Sequence, residues 1–493
     1  MAERARHLLV DARPIEHPTA RRRGIGRYTT GILQGLVEVG ASVTALAADS
    51  AQAEVIRPQV PNVDVAVWSP EVVRAHATTG GWYLATGLFL HPNSFDPIPA
   101  SITRVGLPVA GIMYDVIPYR YPERYLADPS ARRMAELRKP LARTVDVVLA
   151  ISQFAATTSI AELGLVPGRV RSIGAGVEPR FRQAFRGTPR PNSVPDGDYV
   201  VCVTGADEHK NTAGLIEAWG RLPRNVSERY RLVIVGAASD VVRARWERDI
   251  ERAGCTDSID LAGGVTDEHL VELLQHASLS VTPSFEEGFG LPVLEAAACG
   301  CAVITSDRGA LPEVLDEPAS RFDPEDPAAI AAAIEQALLD DHHRNLLLST
   351  ASRAAARWTW PYVAINALDA IDALGPAVPD VALAEPRSRV PPSVLLVYGA
   401  DMAGVGEQVA AAIGELPGSP DVWQAVDVGG TDGSSRPTAH RSPAGAVGRY
   451  PKVHEFDQVV VLGDAAVPTA VSAALRLLPP FDVAPVAALL PTG

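Results

Sequence analysis

The stretch Pro283-Ser284-Phe285-Glu286-Glu287-Gly288-Phe289-Gly290-Leu291-Pro292-Val293-Leu294-Glu295 decides the reading of this chain. It follows an apolar run at 279–282, of buried-strand length, and leads into a helical pattern at 292–298. Two glycines just before a helix let backbone N–H groups approach an anion, and the helix N-terminus adds the positive end of a dipole. Glu287 falls in the loop, and Glu295 falls about two turns on, inside the helix. A carboxylate there only accepts hydrogen bonds, which suits sugar hydroxyls rather than phosphate. The plainer alternative is a strand-to-helix loop whose Glu caps the helix.

Outward from this stretch, short apolar runs alternate with longer amphipathic ones, the pattern of an α/β fold with mostly parallel sheets. Strands are expected at 199–204, 230–235, 258–261, 279–282 and 302–305. Helices are expected between and after them at 212–220, 239–253, 267–275, 292–298 and 327–339, which completes one doubly wound domain. Upstream, 7–11, 109–113, 147–151 and 167–173 read as strand regions and 26–39 as a helix. Proline-containing linkers are expected at 187–197 and 375–392, and a further helix at 358–374. The last hundred residues open a third α/β pattern: strands at 393–398, 456–462 and 483–490, a helix at 465–478, and a loop at 425–442. Gly399-Ala400-Asp401-Met402-Ala403-Gly404-Val405-Gly406 is a Gly-rich turn but not a P-loop, because no Lys follows Gly404.

The composition fits this picture and excludes others. At 493 residues and 47% apolar content the chain has enough apolar surface to offset ordering entropy, which excludes general disorder. No apolar run approaches the roughly 18 residues of a membrane span. The apolar start Leu8-Leu9-Val10 is too short for a signal-peptide core, so a cytoplasmic location is expected. Four cysteines make no disulfide framework, and the Cys299/Cys301 pair reads as small residues packing a helix-to-strand corner. The net charge of −14 conceals an asymmetry. Residues 1–190 hold 23 Lys and Arg against 16 Asp and Glu, and the remainder holds 21 against 42. So acidic a chain is a poor general binder of nucleic acid. Its basic first part suits an anionic substrate or lipid surface, or simply a soluble one.

The opening stretch resembles the signature of glycosyltransferase family 4, two acidic residues in an E-x7-E spacing around EGFGLP. Glu287 and Glu295 match the spacing, and Gly288-Phe289-Gly290-Leu291-Pro292 matches the core. Thr204-Gly205-Ala206-Asp207-Glu208-His209-Lys210-Asn211 resembles the family's diphosphate segment, with His209 standing where Arg is usual. Histidine is neutral for part of the time near pH 7, whereas Arg stays charged. Arg23-Gly24-Ile25-Gly26-Arg27-Tyr28 resembles the GIGRY loop. It is no dinucleotide fingerprint, since Thr29 stands at the third glycine. Met113-Tyr114-Asp115-Val116-Ile117-Pro118 through Pro122-Glu123-Arg124-Tyr125 resembles the HD-x-IP region, with Tyr114 in place of His. Ile151-Ser152-Gln153-Phe154, Gly174-Ala175-Gly176-Val177 and Asp307-Arg308-Gly309-Ala310-Leu311-Pro312-Glu313-Val314 also match family positions, Ser152 as a helix cap.

The resemblance covers about residues 6–376 and implies the GT-B architecture, two Rossmann-like domains facing a cleft. The domains expected are 1–186 on the acceptor side, completed by a crossover helix at 358–376, and 187–357 for the nucleotide-sugar. A linker at 377–392 and a partial or degenerate Rossmann-like unit or docking module at 393–493 follow. The implied reaction is retaining transfer of a hexose or deoxyhexose, such as mannose or rhamnose. The donor is a nucleotide-diphospho-sugar and the acceptor a glycan or lipid-linked molecule of cell-surface polysaccharide or glycolipid synthesis. Lys210, Glu287 and Asp115 are the implied catalytic residues. Gly24, Gly26, Gly205, His209, Lys210, Glu287, Gly288, Phe289, Gly290, Leu291 and Glu295 are the implied donor-binding residues. Gly24 and Gly26 are expected to let the first-domain loop close over the diphosphate. No metal and no cofactor are expected, so Lys210 and backbone N–H groups stabilise the leaving diphosphate.

The basic stretch 120–143, with Arg124, Arg132, Arg133, Arg138, Lys139 and Arg143 among apolar residues, reads as a surface for anionic lipid or as an ordinary amphipathic helix. A peripheral position on the inner face of a membrane would follow from the first of these. Two rival functions stand beside the transferase: a nucleotide-sugar epimerase or hydrolase of the same fold, and a non-catalytic partner in glycan assembly. The sequence leaves the base, the sugar, the acceptor and the oligomeric state open.

Overall fold

The computed structural model describes residues 7–16, 24–88, 97–99, 101–102, 105–182 and 190–373, together with four strands at 393–399, 421–427, 438–441 and 458–462. The first sheet has seven strands: β1 (His7–Asp11), β2 (Ser42–Ala47), β3 (Asp64–Val67), β4 (Trp82–Ala85), β5 (Val109–Met113), β6 (Val147–Ala150) and β7 (Val170–Ser172). Their spatial order is β3-β2-β1-β4-β5-β6-β7. The second sheet has six: β8 (Asp198–Val203), β9 (Tyr230–Val235), β10 (Ile259–Gly263), β11 (Leu279–Thr282), β12 (Val303–Ser306) and β13 (Arg321–Phe322). These run β10-β9-β8-β11-β12-β13. The pairings are parallel. Strand order reverses between β1 and β4 and again between β8 and β11, so each sheet is Rossmann-like with one switch point.

The apolar runs are continuous rather than alternating because helices cover both faces of each sheet. In the second sheet Val200, Cys202, Leu232, Ile234, Val281 and Ile304 pack in one core with Trp219, Trp246, Ile330 and Leu347 from the surrounding helices. Cys299 and Cys301 are buried thiols at the corner between a helix and β12. The helix Trp360–Asp372 packs on the helix Gly24–Glu38 of the first half. Gly31 and Gly35 make that approach feasible, since a Cβ on either would collide with Trp360. Tyr28 meets the Trp360 ring edge-on at 5.1 Å and donates to the Gly174 carbonyl at 2.8 Å. The helix Trp360–Asp372 therefore returns to the first half.

Several sequence expectations need correction. The first helix begins at Gly24, not at 26, so Gly24 and Gly26 lie in its first turn rather than in a loop that closes over a ligand. Strands β2, β3 and β4 were not anticipated, being short and rich in Ala. The helix Asp341–Arg357 was also passed over. Its start is fixed by Asp340, which accepts the His343 N–H at 3.0 Å, while its His, Ser and Thr content hides the apolar face.

The C-terminal strands belong to a second compact unit. There β14 (Ser393–Gly399) is parallel to β15 (Asp421–Asp427) and to β17 (Gln458–Leu462), and β16 (Thr438–Arg441) pairs antiparallel with β15. The loop expected at 425–442 is thus corrected at both ends, where Val422, Trp423 and Val426 supply the β-formers that pairing needs. The turn at 400–406, the helix at 465–478, the strand at 483–490 and the linker at 375–392 lie outside the described residues, as does Arg23. Among the described residues no helix is long and apolar enough to cross a membrane.

Candidate active site

In an open parallel sheet the crevice at the carboxyl ends of the strands, at the switch point, is where ligands sit. Here β8 and β11 are the strands on either side of it. The loop after β8 carries Lys210, and the loop after β11 carries Glu287. The two loops are stitched together. Asn211 takes a left-handed conformation (φ 53°), and its side-chain amide donates to the carbonyls of Pro283 at 3.1 Å and Pro324 at 2.8 Å. The Phe285 N–H donates to the His209 carbonyl at 2.7 Å.

This stitching presents Lys210 to Glu287. The Lys210 ammonium lies 2.8 and 2.9 Å from the two carboxylate oxygens, and the Ser284 hydroxyl donates to Oε1 at 2.8 Å. Burial works to raise the Glu287 pKa, but Lys210, His209 and Ser284 outweigh it and hold the carboxyl below its ordinary value. Glu287 is therefore ionised and oriented at neutral pH. Asp115, after β5 in the first half, has its pKa raised by burial, with Lys210 opposing and Glu287 and Asp207 reinforcing. Its Oδ1 accepts the Ile117 N–H at 3.1 Å, which fixes the carboxyl in its own turn.

Glycine sets how close the two halves come. A Cβ on Gly288 would collide with the Tyr114 carbonyl and stand 3.0 Å from the Asp115 Cβ. Gly290 has φ 103° at the start of the helix Leu291–Ala298, a conformation other residues rarely adopt. The Ser152 hydroxyl caps its own helix by accepting the Ala155 N–H at 2.9 Å, and donates across to the Gly288 carbonyl at 2.6 Å. Glu313 caps the same helix from the other half, accepting the N–H groups of Gln153 at 2.8 Å and Phe154 at 2.7 Å.

Glu295 is buried one helical segment away, and it is not alone. Arg27, from the first half, donates to its Oε1 at 2.6 Å, also pairs with Asp267, and lies 3.7 Å from Glu178. Arg180 joins Glu178 at 2.8 Å and Asp267 at 2.9 Å. Burial raises the Glu295 pKa; Arg27 opposes it while Glu178 and Asp267 add to it. Nothing in the spacing of the sequence links Arg27 to Glu295, 268 residues apart.

The expected residues do not all gather. The Phe289 side chain is buried against the edge of Trp358 at 5.2 Å, which leaves its backbone as the part that can meet a donor. Tyr114 likewise turns inward and meets the Tyr28 edge at 5.3 Å. Gly24 faces Leu291, Gly26 is buried in its helix, and Gly205 lies in the loop after β8. His209 does reach the cleft, where the Tyr125 hydroxyl from the first half lies 2.6 Å from its Nδ1. Glu286, passed over in the sequence, is buried beside the Tyr121 hydroxyl at 3.0 Å and the Arg120 Nε at 3.2 Å.

Of the described arginines in the basic stretch, Arg138 is buried, while Arg120, Arg124, Arg132 and Arg143 are exposed and still bond or lie close to protein groups. Arg120 serves Glu286, Arg124 lies 3.8 Å from Glu208, and Arg138 is buried. Arg132 donates to the Leu126 carbonyl at 3.1 Å and Arg143 to that of Leu163 at 2.7 Å.

Residues 188–354 match the family model described as glycosyl transferases group 1. The serotype-specific mannosyltransferase WbdA of Escherichia coli is 31% identical over 264 residues, 52% of this chain and 32% of that protein. The O-antigen chain mannosyltransferase B of Escherichia coli is 36% identical over 167 residues, 33% of this chain and 42% of that one. The chain thus spans less than half the length of these relatives. Among solved structures, Anabaena HepE in complex with UDP-glucose gives a TM-score of 0.55 at 17% identity, covering 75% of this chain and 99% of that chain. That likeness shows the fold, which is GT-B.

Proposed function

We propose that this chain, whose residues 188–354 match the glycosyl transferases group 1 family and whose fold is GT-B, is a retaining hexosyltransferase. The donor in this reading is a nucleotide-diphospho-hexose or deoxyhexose, and the similarity to two mannosyltransferases favours mannose. One observation carries the proposal: Lys210 and Glu287, from the loops after β8 and β11, meet at the switch point of the second sheet, where open parallel sheets take their ligands.

The roles follow from the chemistry of each group. Lys210 and the N–H groups at the start of the helix Leu291–Ala298 offset charge as it grows on the leaving diphosphate. His209 adds a donor to the same oxygens. Glu287 orients the hydroxyls of the transferred sugar, and Glu295, once released by Arg27, accepts from the ribose hydroxyls. In transfer, the bond from the anomeric carbon to the phosphate oxygen breaks and a bond to the acceptor oxygen forms on the same face. The acceptor hydroxyl proton passes to the departing diphosphate. Asp115 stands beside this point, positioned by its own turn. The reaction as proposed takes no metal and no cofactor.

The acceptor is a glycan or lipid-linked glycan of cell-surface polysaccharide or glycolipid assembly. The excess of Lys and Arg over residues 1–190 supports a position at an anionic, inner membrane surface from the cytoplasmic side. Salt-insensitive or absent pelleting with anionic vesicles would remove that part alone. For the activity, a thermal-shift screen against UDP-, GDP- and dTDP-sugars should raise Tm with one of them by mass action. Turnover of that donor with and without an oligosaccharide acceptor then separates transferase from hydrolase or epimerase. Absence of any shift and of any turnover would sink the proposal in favour of a non-catalytic assembly partner.

A further inference from the structure

We propose that Tyr125 is a positioning residue that fixes the tautomer of His209, so that a neutral histidine serves the donor diphosphate where a permanent cation is otherwise used. The inference rests on the reading of the site as a diphosphate site and adds a residue to it from the other half of the molecule.

The geometry comes first. His209 sits in the single turn Glu208–Lys210 at the end of β8, immediately before the lysine that pairs with Glu287. Its Nδ1 faces the Tyr125 hydroxyl at 2.6 Å, and the two rings lie 6.0 Å apart, tilted by 56°. Tyr125 ends the short helix Pro122–Tyr125 of the first half, so the hydrogen bond spans the cleft. With Nδ1 occupied, the remaining ring nitrogen, Nε2, is the atom left to reach a ligand. An imidazole carries one proton when neutral, and the partner of one nitrogen decides which nitrogen holds it.

Two features place that proton on Nε2. Burial pushes the Tyr125 hydroxyl up to about 12, with Asp207 adding to it, so the phenol keeps its proton. A phenol donates more strongly than it accepts, and an imidazole lone pair is a strong acceptor, so across the 2.6 Å contact the phenol's own proton faces Nδ1. His209 itself is held below its ordinary value by burial and by Lys210, with Glu287 and Asp207 opposing. The charged groups around the pair are Lys210, Glu287, Asp207, Glu208 and Arg124. A neutral ring with its proton on Nε2 donates to a phosphate oxygen. The other tautomer would turn a lone pair toward it.

Removing the hydroxyl therefore has a signature that mere packing lacks. In Tyr125→Phe the neutral ring is free to take either tautomer, so affinity falls where His209 is neutral. Once acid protonates the ring, both nitrogens carry protons and the deficit shrinks. The experiment is calorimetric titration of UDP, GDP and dTDP into the full chain between pH 5.5 and 8.5. It compares the wild type, Tyr125→Phe, His209→Arg and the double variant. For whichever nucleotide the wild type binds, the Tyr125→Phe loss should be about two- to threefold at pH 8.5, from the fraction of rings left in the wrong tautomer, and should shrink toward none at pH 5.5. In the His209→Arg background the same change should leave affinity unchanged at either pH. A loss independent of pH, or equal in both backgrounds, would assign Tyr125 to packing and overturn the inference. Failure of the wild type to bind any of the three nucleotides would instead overturn the diphosphate reading of the site.

Discussion

Lys210 holds both carboxylate oxygens of Glu287, at 2.8 and 2.9 Å, so each group satisfies the other. A diphosphate that draws Lys210 toward itself must leave Glu287 seeking donors, and sugar hydroxyls are donors. The pair thus couples phosphate capture to sugar orientation. Lys210→Ala should lower donor turnover by about 10²–10³, the usual cost of removing one preorganised donor. It should also lower stability by about 2 kcal/mol through the orphaned carboxylate. Steady-state kinetics and chemical denaturation check both, and Lys210→Ala with Glu287→Gln together should recover stability but not turnover.

Arg27 does for Glu295 what Lys210 does for Glu287. Without Arg27, burial would raise the Glu295 pKa further above its unfolded value. A group shifted in that sense is stabilising below its unfolded pKa and loses that contribution as pH rises through the folded one. Arg27→Gln should therefore cost little Tm near pH 4.5 and more near pH 8. A gap that narrows with rising pH would contradict the ion-pair assignment.

His209 shifts the other way. Its pKa is depressed by burial and by Lys210, so its contribution is present above the unfolded value of about 6.5 and lost as pH falls below it. Between pH 7.5 and 5.5 the wild type should lose more Tm than His209→Gln. Parallel melting curves for the two would show that the ring is not desolvated.

Gly288 is where the halves touch most closely, with no room for a methyl group between it and the Tyr114 carbonyl. Gly288→Ala must move one backbone or the other. A loss of about 1–3 kcal/mol in stability is expected, with turnover down by more than about tenfold from misplaced cleft geometry. An alanine variant with wild-type kinetics would mean that the halves open enough in solution to take it.

In the proposed reaction Lys210 and backbone donors serve the leaving group, so turnover of the preferred donor should be unchanged by EDTA and not raised by added Mg²⁺ or Mn²⁺. Loss of activity on chelation would call for a metal site that the proposed reaction lacks.

The sequence alone determined the α/β class, the order of the second doubly wound unit and the position of its loops. Buried parallel strands must be apolar, and turns after them need glycine, so both leave marks in one dimension. It also placed Glu287, Glu295 and Lys210 at their correct local addresses, because strand-loop-helix spacing is a local property. Only the tertiary structure decided who meets whom. Arg27 reaches Glu295 from 268 residues away, Tyr125 reaches His209 from 84, and Tyr121 reaches Glu286 from 165. It also turned the side chains of Phe289 and Tyr114 into the core. A motif fixes the identity and backbone direction of a residue. Whether its side chain faces solvent, cleft or core depends on what the other half of the molecule brings to within a few ångströms, and that partner is remote in sequence.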